Sequence, residues 1–387
     1  MSDSVTAAIA SRARETGALA IDTEFMGEGR YRSLLCLVQV AVTGEDGAQW
    51  VEVLDPLVGS VDWSPLAEVL ADPQVEIIFH AGRQDVAILR RVWRTEVTNI
   101  FDTQIAAGFA GMRAQLGYEA LLNELLSVKL NKSASFTRWD ARPLSEEQDS
   151  YAREDVLHLI EATDELKRRL ESLGRLEWAR EECRALEGVS DERTPETMFE
   201  RLPRINSLDP GPRAVALALT QWRDSCAAQE DKPIQTVLAD AALVEIAKRR
   251  PQDLDRLRQI RGLHEGVVRR RGKEIIEQVE RGRGLPPIPV DGDRPAPADP
   301  RDAGLIVLAE ALVRARAAQS GFAYELLAAR ADLQRVVTAV RLGTEAPDVR
   351  TLNGWRRELV GDELLELLAG KRSLYIDDKL DIAVADR

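Results

Sequence analysis

The chain has 387 residues, of which 44% are hydrophobic and 30% are charged, and its net charge is -13. This length predicts two or three domains, and the composition is typical of a globular protein. No apolar run approaches the roughly 18 residues that a membrane span needs, and the N-terminus lacks the basic and apolar regions of a signal peptide. A uniform negative field repels nucleic acid, so any nucleic-acid function must rest on local basic patches or on metal ions.

The chain contains three cysteines, Cys36, Cys183 and Cys226, which are scattered along the sequence. An odd number of scattered cysteines argues against a disulfide framework and against a zinc site. This cysteine usage is compatible with a reducing compartment, and we therefore expect a cytoplasmic protein.

The first half of the chain alternates segments typical of strands with segments typical of helices. The predicted helices cover 63–71 and 83–93, and the pattern is mostly helical from about residue 104 to residue 186. The tetrapeptide GEDG separates two of the strands and predicts a hairpin turn. This alternation predicts an α/β domain with a mixed sheet. The predicted strands cover 18–25, 35–42, 49–55, 75–81 and 99–103.

The second half of the chain is predicted to be helical. Residues 284–300 are rich in proline, glycine and aspartate and read as a linker between domains. The segments on either side, 213–283 and 301–376, follow the same order of a long, a shorter and a last helix, which suggests two copies of one helical module. The predicted domains are an α/β domain at 1–206, a first helical domain at 207–284, a linker at 285–300, and a second helical domain with a C-terminal tail at 301–387.

Acidic residues lie at or just beyond the ends of two of the predicted strands. Asp22 and Glu24 are two residues apart in a strand, so their carboxylates point to the same face. Asp85 falls in the first turn of the helix that follows another strand, and ligands of α/β sheets bind outside such strand ends. Solvated acids at a strand end, and a helix-capping role for Asp85, are the alternatives.

A fourth acid lies on a helix that is predicted to begin near residue 146. Ser145 and Gln148 form a capping-box signature there. Tyr151 and Asp155 are four residues apart and therefore share one face of this helix. A packed tyrosine and a surface aspartate are the alternative for this pair alone.

Together these residues resemble the metal centre of the DEDD exonucleases in its tyrosine-bearing subgroup, and within it the ribonuclease D family. The resemblance spans residues 15–190. The resemblance extends into the helical half of the chain. QWRD (221–224) and the residues after it resemble the HRDC nucleic-acid-binding module. Residues 301–376 match that module more loosely. The blocks that carry the first resemblance are DTEF (22–25), Gln39, HAGRQD (80–85), FDTQIAA (101–107), KSASFTRWDARPLS (132–145) and YAREDV (151–156).

The resemblance implies a ribonuclease H-like mixed sheet with flanking helices, followed by two small all-α helical bundles. It also implies two divalent ions, Mg²⁺ or Mn²⁺, and release of 5′-mononucleotides from a 3′ end. Asp22 would bridge the two ions. Glu24 and Asp155 would complete the coordination of one ion, and Asp85 would hold the second. Tyr151 would orient the attacking water.

Further residues invite roles in substrate binding, each with a structural or surface alternative. Phe25 has a ring that suits stacking on the terminal base. The basic cluster at 269–273 lies in a segment with 15 lysine and arginine residues against 11 acidic residues between Arg213 and Arg283, which predicts a nucleic-acid contact. The other candidates near the metal centre are Thr23, His80, Lys132, Arg138 and Arg142. Those on the first helical module are Arg269, Arg270, Arg271 and Lys273.

We therefore predict a 3′–5′ exoribonuclease that acts on RNA 3′ ends, such as those of transfer RNA precursors or other structured RNA. An exodeoxyribonuclease acting on single-stranded DNA is one alternative, and a catalytically silent nucleic-acid-binding protein is another. All five catalytic positions are filled, which counts against the silent protein. A monomer with no membrane contact is favoured.

Overall fold

The computed structural model describes residues 2–59, 61–113, 115–130, 138–290 and 299–387. Its N-terminal part is built on a five-stranded mixed sheet in the order β3-β2-β1-β4-β5. β1 pairs with β2 in antiparallel fashion and with β4 in parallel fashion. The predicted strands are confirmed as β1 (Ala18–Met26), β2 (Leu34–Thr43), β3 (Gln49–Leu54), β4 (Glu76–Phe79) and β5 (Ile100–Asp102).

Helices cover both faces of this sheet. Because side chains alternate along a strand, β1 presents Leu19 and Ile21 to one face, where they pack with the first three helices. Ala20 faces the opposite side and packs on Val156 and Leu159. The helices of this part are α1 (Ser2–Thr16), α2 (Ser64–Leu70), α3 (Arg83–Trp93), α4 (Thr103–Phe109), α5 (Tyr118–Leu126), α6 (Glu146–Leu157), α7 (Leu159–Ser172), α8 (Leu176–Arg184) and α9 (Pro195–Glu200).

The helix that was predicted from residue 146 onward is two helices. The capping box is confirmed, because the Ser145 hydroxyl accepts from the Gln148 amide and the Gln148 side chain accepts from the Ser145 amide. The helix then breaks at His158, whose backbone φ of -107° and ψ of 7° are not helical. The break lets α6 pack mainly on β3 and β2, while α7 packs on β1 and β4.

The C-terminal part is helical, as predicted. The first module has its own apolar core, which includes Leu219, Leu243 and Ile275. The second segment instead shares a core with the α/β part, and Trp355 lies 4.8 Å from Phe109 between ring centroids. The helices are α10 (Pro210–Glu230), α11 (Ile234–Val237), α12 (Asp240–Arg249), α13 (Leu254–Arg258), α14 (Glu265–Arg283), α15 (Pro300–Ser320), α16 (Tyr324–Leu327), α17 (Arg330–Leu342), α18 (Gly354–Arg356) and α19 (Asp362–Leu368).

The chain ends in a two-stranded antiparallel hairpin, β6 (Arg372–Ile376) and β7 (Ile382–Asp386), which the sequence analysis did not predict. Leu374 and Val384 pack from the hairpin onto the core that the second helical segment shares with the α/β part. Among the described residues, no helix combines the length and the apolar character that crossing a membrane requires.

The first helical module is tied to the α/β part through the loop that follows β1. Arg30 forms an ion pair with Asp231 at 2.9 Å between Nη1 and Oδ2. The Tyr31 hydroxyl donates to Asp224 at 2.6 Å, and the Tyr31 amide donates to Asp231 at 3.2 Å. The loop therefore connects the C-terminal half of α10 to the strand that carries Asp22.

Candidate active site

Three of the predicted carboxylates converge at one end of the sheet. Asp22 and Glu24 lie on β1 on the same side as Ala20, which is the face that α6 covers. Asp155 lies on α6. One carboxylate oxygen from each of these three residues lies within 4.8 Å of the other two. Their side chains are only partly exposed.

The fourth predicted carboxylate lies beside this cluster. Asp85 is buried in the first turn of α3, as predicted, and it is not one of the three converging carboxylates. Thr23 points to the opposite face of β1 from Asp22 and donates a 2.5 Å hydrogen bond to Asp85. The negative charge of Asp85 nevertheless acts on two members of the cluster, because it raises the pKa of both Asp22 and Glu24.

Burial raises the pKa of every acid in this group, and repulsion from the other acids of the group raises the pKa of Asp22 and Glu24 further. Burial, then the charges of Asp155 and Asp85, raises the pKa of Glu24 to about 8. Burial raises the pKa of Asp155 to about 7 and that of Asp85 to about 6. Asp22 is affected by burial and by all three neighbouring acids, and its pKa lies well above the usual range. Such a cluster is stable in its charged form only beside a cation.

Tyr151 stands one helical turn before Asp155 on α6. Burial, then the charges of Asp155, Glu24 and Asp22, raises the pKa of its phenol. The hydroxyl therefore keeps its proton at neutral pH and acts as a hydrogen-bond donor or acceptor. Its ring lies 5.9 Å from that of Trp139, and Trp139 is buried against Cys36, Leu37 and Ala152. The packing of Trp139 thus fixes the position of Tyr151.

The cluster fits divalent cations. Hard carboxylate oxygens are the ligands that Mg²⁺ and Mn²⁺ prefer. Gln39 lies opposite Asp22 in the β1–β2 register, so its side chain is on the same face of the sheet. It is fully buried, and neither polar atom of its amide has a hydrogen-bond partner in the described ranges. A buried amide of this kind needs a partner such as an ordered water.

A tight turn between β4 and α3 positions Asp85. The Asp102 carboxylate accepts hydrogen bonds from the backbone amides of Ala81 and Gly82, at 3.2 and 2.8 Å. It also caps α4 through two further amides. Any side chain at Gly82 would place its Cβ 2.4 Å from the Phe79 Cβ, so the turn requires glycine. Asp102 therefore has a structural role.

Two further residues lie near the cluster. Burial lowers the pKa of His80 to about 4, so its ring is neutral, and its Nδ1 lies 2.9 Å from the Thr103 hydroxyl. Tyr118, which the sequence analysis missed, lies 5.3 Å from the His80 ring. Burial, and then the charges of Asp155 and Asp22, raises the pKa of its phenol. A tyrosine at the start of an ordinary amphipathic helix gave no signal of this position.

The remaining candidates for substrate contact differ in their surroundings. Phe25 is half-buried and packs against the core formed with α3. Arg138 is exposed and pairs with Asp140 at 2.9 Å. Arg142 forms a bidentate pair with Asp55 at 2.5 and 2.7 Å and donates to the Cys36 carbonyl. This geometry favours a structural role for Arg142 over phosphate binding. Lys132 lies outside the described residues.

The basic cluster on the first module lies on α14. Arg269, Arg270 and Lys273 are exposed on this helix. Arg271 is instead half-buried and forms an ion pair with Glu230 at the end of α10. The exposed part of the predicted contact is thus smaller than the sequence suggested.

Comparison with known proteins identifies the family of the chain. A family model described as a 3′-5′ exonuclease matches residues 2–171, and an HRDC domain model matches residues 213–279. Ribonuclease D of Granulibacter bethesdensis is 38% identical, over 96% of this chain and 93% of its own length. Ribonuclease D of Gluconacetobacter diazotrophicus is 36% identical, over 95% and 92%.

A solved structure extends the likeness to the whole fold. The crystal structure of Escherichia coli RNase D, an exoribonuclease involved in structured RNA processing, has a TM-score of 0.81. It is 30% identical, and the match covers 95% of this chain and 97% of that one. The chain therefore belongs to the ribonuclease D family of 3′–5′ exoribonucleases.

Proposed function

We propose that Asp22, Glu24, Asp85 and Asp155 hold two divalent ions, Mg²⁺ or Mn²⁺, at the site where the protein removes 5′-mononucleotides from RNA 3′ ends. The convergence of three carboxylates within 4.8 Å, with a fourth beside them, is the observation that carries this proposal. Divalent ions bound there would supply a nucleophile at neutral pH and neutralise negative charge on the phosphate.

The protein's own side chains position the reactants. Tyr151 keeps its proton at neutral pH, because burial and the neighbouring acids raise its pKa. Its hydroxyl therefore orients the attacking water by a hydrogen bond and does not serve as the general base. Thr23 fixes the Asp85 carboxylate through their hydrogen bond. Phe25 and the neutral ring of His80 are the contacts we propose for the terminal nucleotide.

The first helical module is proposed to hold the RNA beyond the terminal nucleotide. Residues 213–279 form an HRDC domain, and we propose that residues 301–376 are a second copy. The spacing of the helix starts is the same in both segments. In the first, α10, α11 and α12 begin at residues 210, 234 and 240. In the second, α15, α16 and α17 begin at residues 300, 324 and 330. Arg269, Arg270 and Lys273 supply a basic surface on the first copy.

The proposed substrates are the 3′ ends of transfer RNA precursors and other structured RNA. E. coli RNase D is an exoribonuclease of structured RNA processing, and its likeness to this chain supports that choice. The three free cysteines, two of them buried, support a reducing cytoplasm as the place of action. We propose that the protein acts as a monomer.

The test uses RNA and DNA oligonucleotides labelled at the 5′ end, incubated with wild-type protein and with Asp22→Ala. With Mg²⁺ or Mn²⁺, the wild type should shorten the RNA stepwise from its 3′ end, and a chelator should stop the reaction. Asp22→Ala should lose at least about 10³-fold in rate, because it removes the proposed shared ligand. Equal activity of this variant would contradict the metal site, and robust hydrolysis of DNA without RNA hydrolysis would favour an exodeoxyribonuclease.

A further inference from the structure

We propose that an arginine-lined cleft beside the carboxylates binds the phosphodiester backbone of a single-stranded RNA 3′ tail. The cleft has a volume of about 410 Å³ and is lined by Phe25, Arg83, Arg193 and Arg201, among other residues. It lies where the ends of β1 and α3 meet the segment that leads to α9. This inference rests on the exoribonuclease function proposed above and specifies which part of the RNA the protein holds.

The arginines of the cleft are free to bind an anion. Arg83, Arg193 and Arg201 are exposed, and in the described part of the chain none of their guanidinium groups has a hydrogen bond or an ion pair. The two acids that line the cleft have other partners. Asp191 pairs with Arg91 at 2.8 Å, and Glu192 lies 3.9 Å from Arg32. The cleft therefore has a net positive charge in a chain whose net charge is -13.

The cleft adjoins the catalytic residues through the backbone. Phe25 directly follows Glu24 on β1, and Arg83 precedes Asp85 by two residues in the first turn of α3. An RNA strand whose terminal phosphate lies at the carboxylates therefore contacts Phe25 and Arg83 next. Arginine binds phosphate oxygens through two parallel hydrogen bonds, and an aromatic ring stacks on a base of any sequence.

The positive path continues towards the first helical module. Arg193 also lines two adjoining cavities of about 370 and 150 Å³, which reach Gln235 on α11. The module's acids at this junction are already bonded. Asp224 and Asp231 accept from Tyr31 and Arg30, and Asp240 pairs with Arg223 at 2.5 Å. Asp231 and Asp240 are therefore neutralised by arginines, whereas Asp224, bonded to the neutral Tyr31 hydroxyl, keeps its negative charge.

The size of the cleft selects a single strand. Cavities of roughly 300–1,000 Å³ hold one small ligand at a time, so the cleft admits nucleotides one after another and excludes a paired helix. A structured RNA would then need an unpaired 3′ tail that spans from the carboxylates to Arg193. The stem of such an RNA would remain outside, on the side of the first module.

The test measures binding in chelator, so that no hydrolysis occurs, by fluorescence anisotropy over a series of salt concentrations. The RNA probes are a hairpin with an unpaired 3′ tail and the same hairpin without a tail. Arg83→Glu with Arg193→Glu should weaken binding of the tailed RNA at least tenfold. The slope of log affinity against log salt should fall by about 0.7 for each lost phosphate contact. Binding of the blunt hairpin should stay within twofold.

Two variants serve as controls. Arg335 on α17 is exposed, and none of the described hydrogen bonds or ion pairs involves its side chain. Arg335→Glu changes the net charge as much as Arg193→Glu and should bind the tailed RNA like the wild type. Arg193→Lys keeps the charge and should retain most of the affinity. Thermal unfolding of each variant within a few degrees of the wild type establishes that the variants fold.

Steady-state hydrolysis of the tailed RNA separates the cleft from the catalytic centre. The double variant should raise KM at least tenfold and keep kcat within twofold, because the cleft arginines do not touch the carboxylates. Unchanged affinity for the tailed RNA, or an equal loss with Arg335→Glu, overturns the cleft proposal while wild-type hydrolysis of RNA still stands. Wild-type protein that hydrolyses no RNA overturns the proposed function itself.

Discussion

The hydroxyl of Thr23 donates a 2.5 Å hydrogen bond to the carboxylate of Asp85 and so joins the central strand to the first turn of α3. Both side chains are buried. Hydrogen bonds to charged groups contribute about 1.5–3 kcal/mol. We expect Thr23→Val, which keeps the shape and removes the hydroxyl, to lower kcat/KM about tenfold or more and to weaken the binding of metal, measured by calorimetry.

Thr23→Ser is the matched control, because it keeps the hydroxyl and loses only a methyl group. It should retain activity within a few-fold of the wild type. If Thr23→Val and Thr23→Ser lose the same activity, the effect comes from packing of the methyl group, and the hydrogen bond has no catalytic role.

Removal of the Tyr151 hydroxyl should slow the chemical step and leave the fold intact. The ring packs near Trp139, and Tyr151→Phe preserves that contact. We expect kcat to fall roughly 10²–10³-fold, as for other groups that position a reactant, with KM changed only a few-fold. The measurement is steady-state kinetics on labelled RNA. A variant with wild-type kcat would remove Tyr151 from the mechanism.

The metal-free protein should become less stable as the pH rises from about 4 to about 8. Ordinary carboxyl groups have a pKa near 4, whereas burial and neighbouring charges raise that of Glu24 to about 8 and that of Asp155 to about 7. In this window the folded state binds more protons than the unfolded state, so the free energy of unfolding falls with increasing pH. Thermal unfolding in chelator at pH 5 and pH 8 checks this.

Divalent metal should reverse this trend. Metal binds the deprotonated carboxylates, so Mg²⁺ or Mn²⁺ should raise Tm more at pH 8 than at pH 5. Glu24→Gln removes one of the groups with a raised pKa. Without metal, this variant should melt several degrees above the wild type at pH 8 and near it at pH 5. An identical pH dependence of Tm in both proteins would show that Glu24 does not titrate in this window.

The ion pair between Arg142 and Asp55 predicts a loss of stability rather than of RNA affinity. Both side chains are mostly buried, and the pair ties the segment before α6 to the end of β3. Arg142→Ala and Asp55→Asn should each lower the free energy of unfolding by about 1–3 kcal/mol. Neither should change the salt dependence of RNA binding. A reduced slope for Arg142→Ala alone would reassign this arginine to a phosphate contact.

Local sequence signals predicted most of the fold of the α/β part. The strand that carries Asp22, the helix that carries Asp85 and the capping box at Ser145 all depend on residues within one short segment. The joint position of Asp22 and Glu24 followed from the two-residue period of a strand. These elements were predictable because their determinants are close together in sequence.

Features that depend on distant contacts were not predictable in the same way. The helix break at His158 follows from how α6 and α7 pack on different parts of the sheet. Arg142 appeared to be a phosphate ligand because its partner Asp55 is 87 residues away. The C-terminal hairpin is stabilised by packing on a core that the second helical segment shares with α4. No pattern within these segments encodes such partners.

The contact of Arg30 and Tyr31 with α10 makes the first helical module part of the same mechanical unit as the catalytic strand. β1 carries Asp22 and Glu24, and the loop that directly follows it is hydrogen-bonded to Asp231. Tension on an RNA that is anchored to the module is therefore transmitted to the strand that holds the acids. If docking of the module changes the affinity of the carboxylates for metal, occupancy of the carboxylates must change the stability of docking by the same free energy.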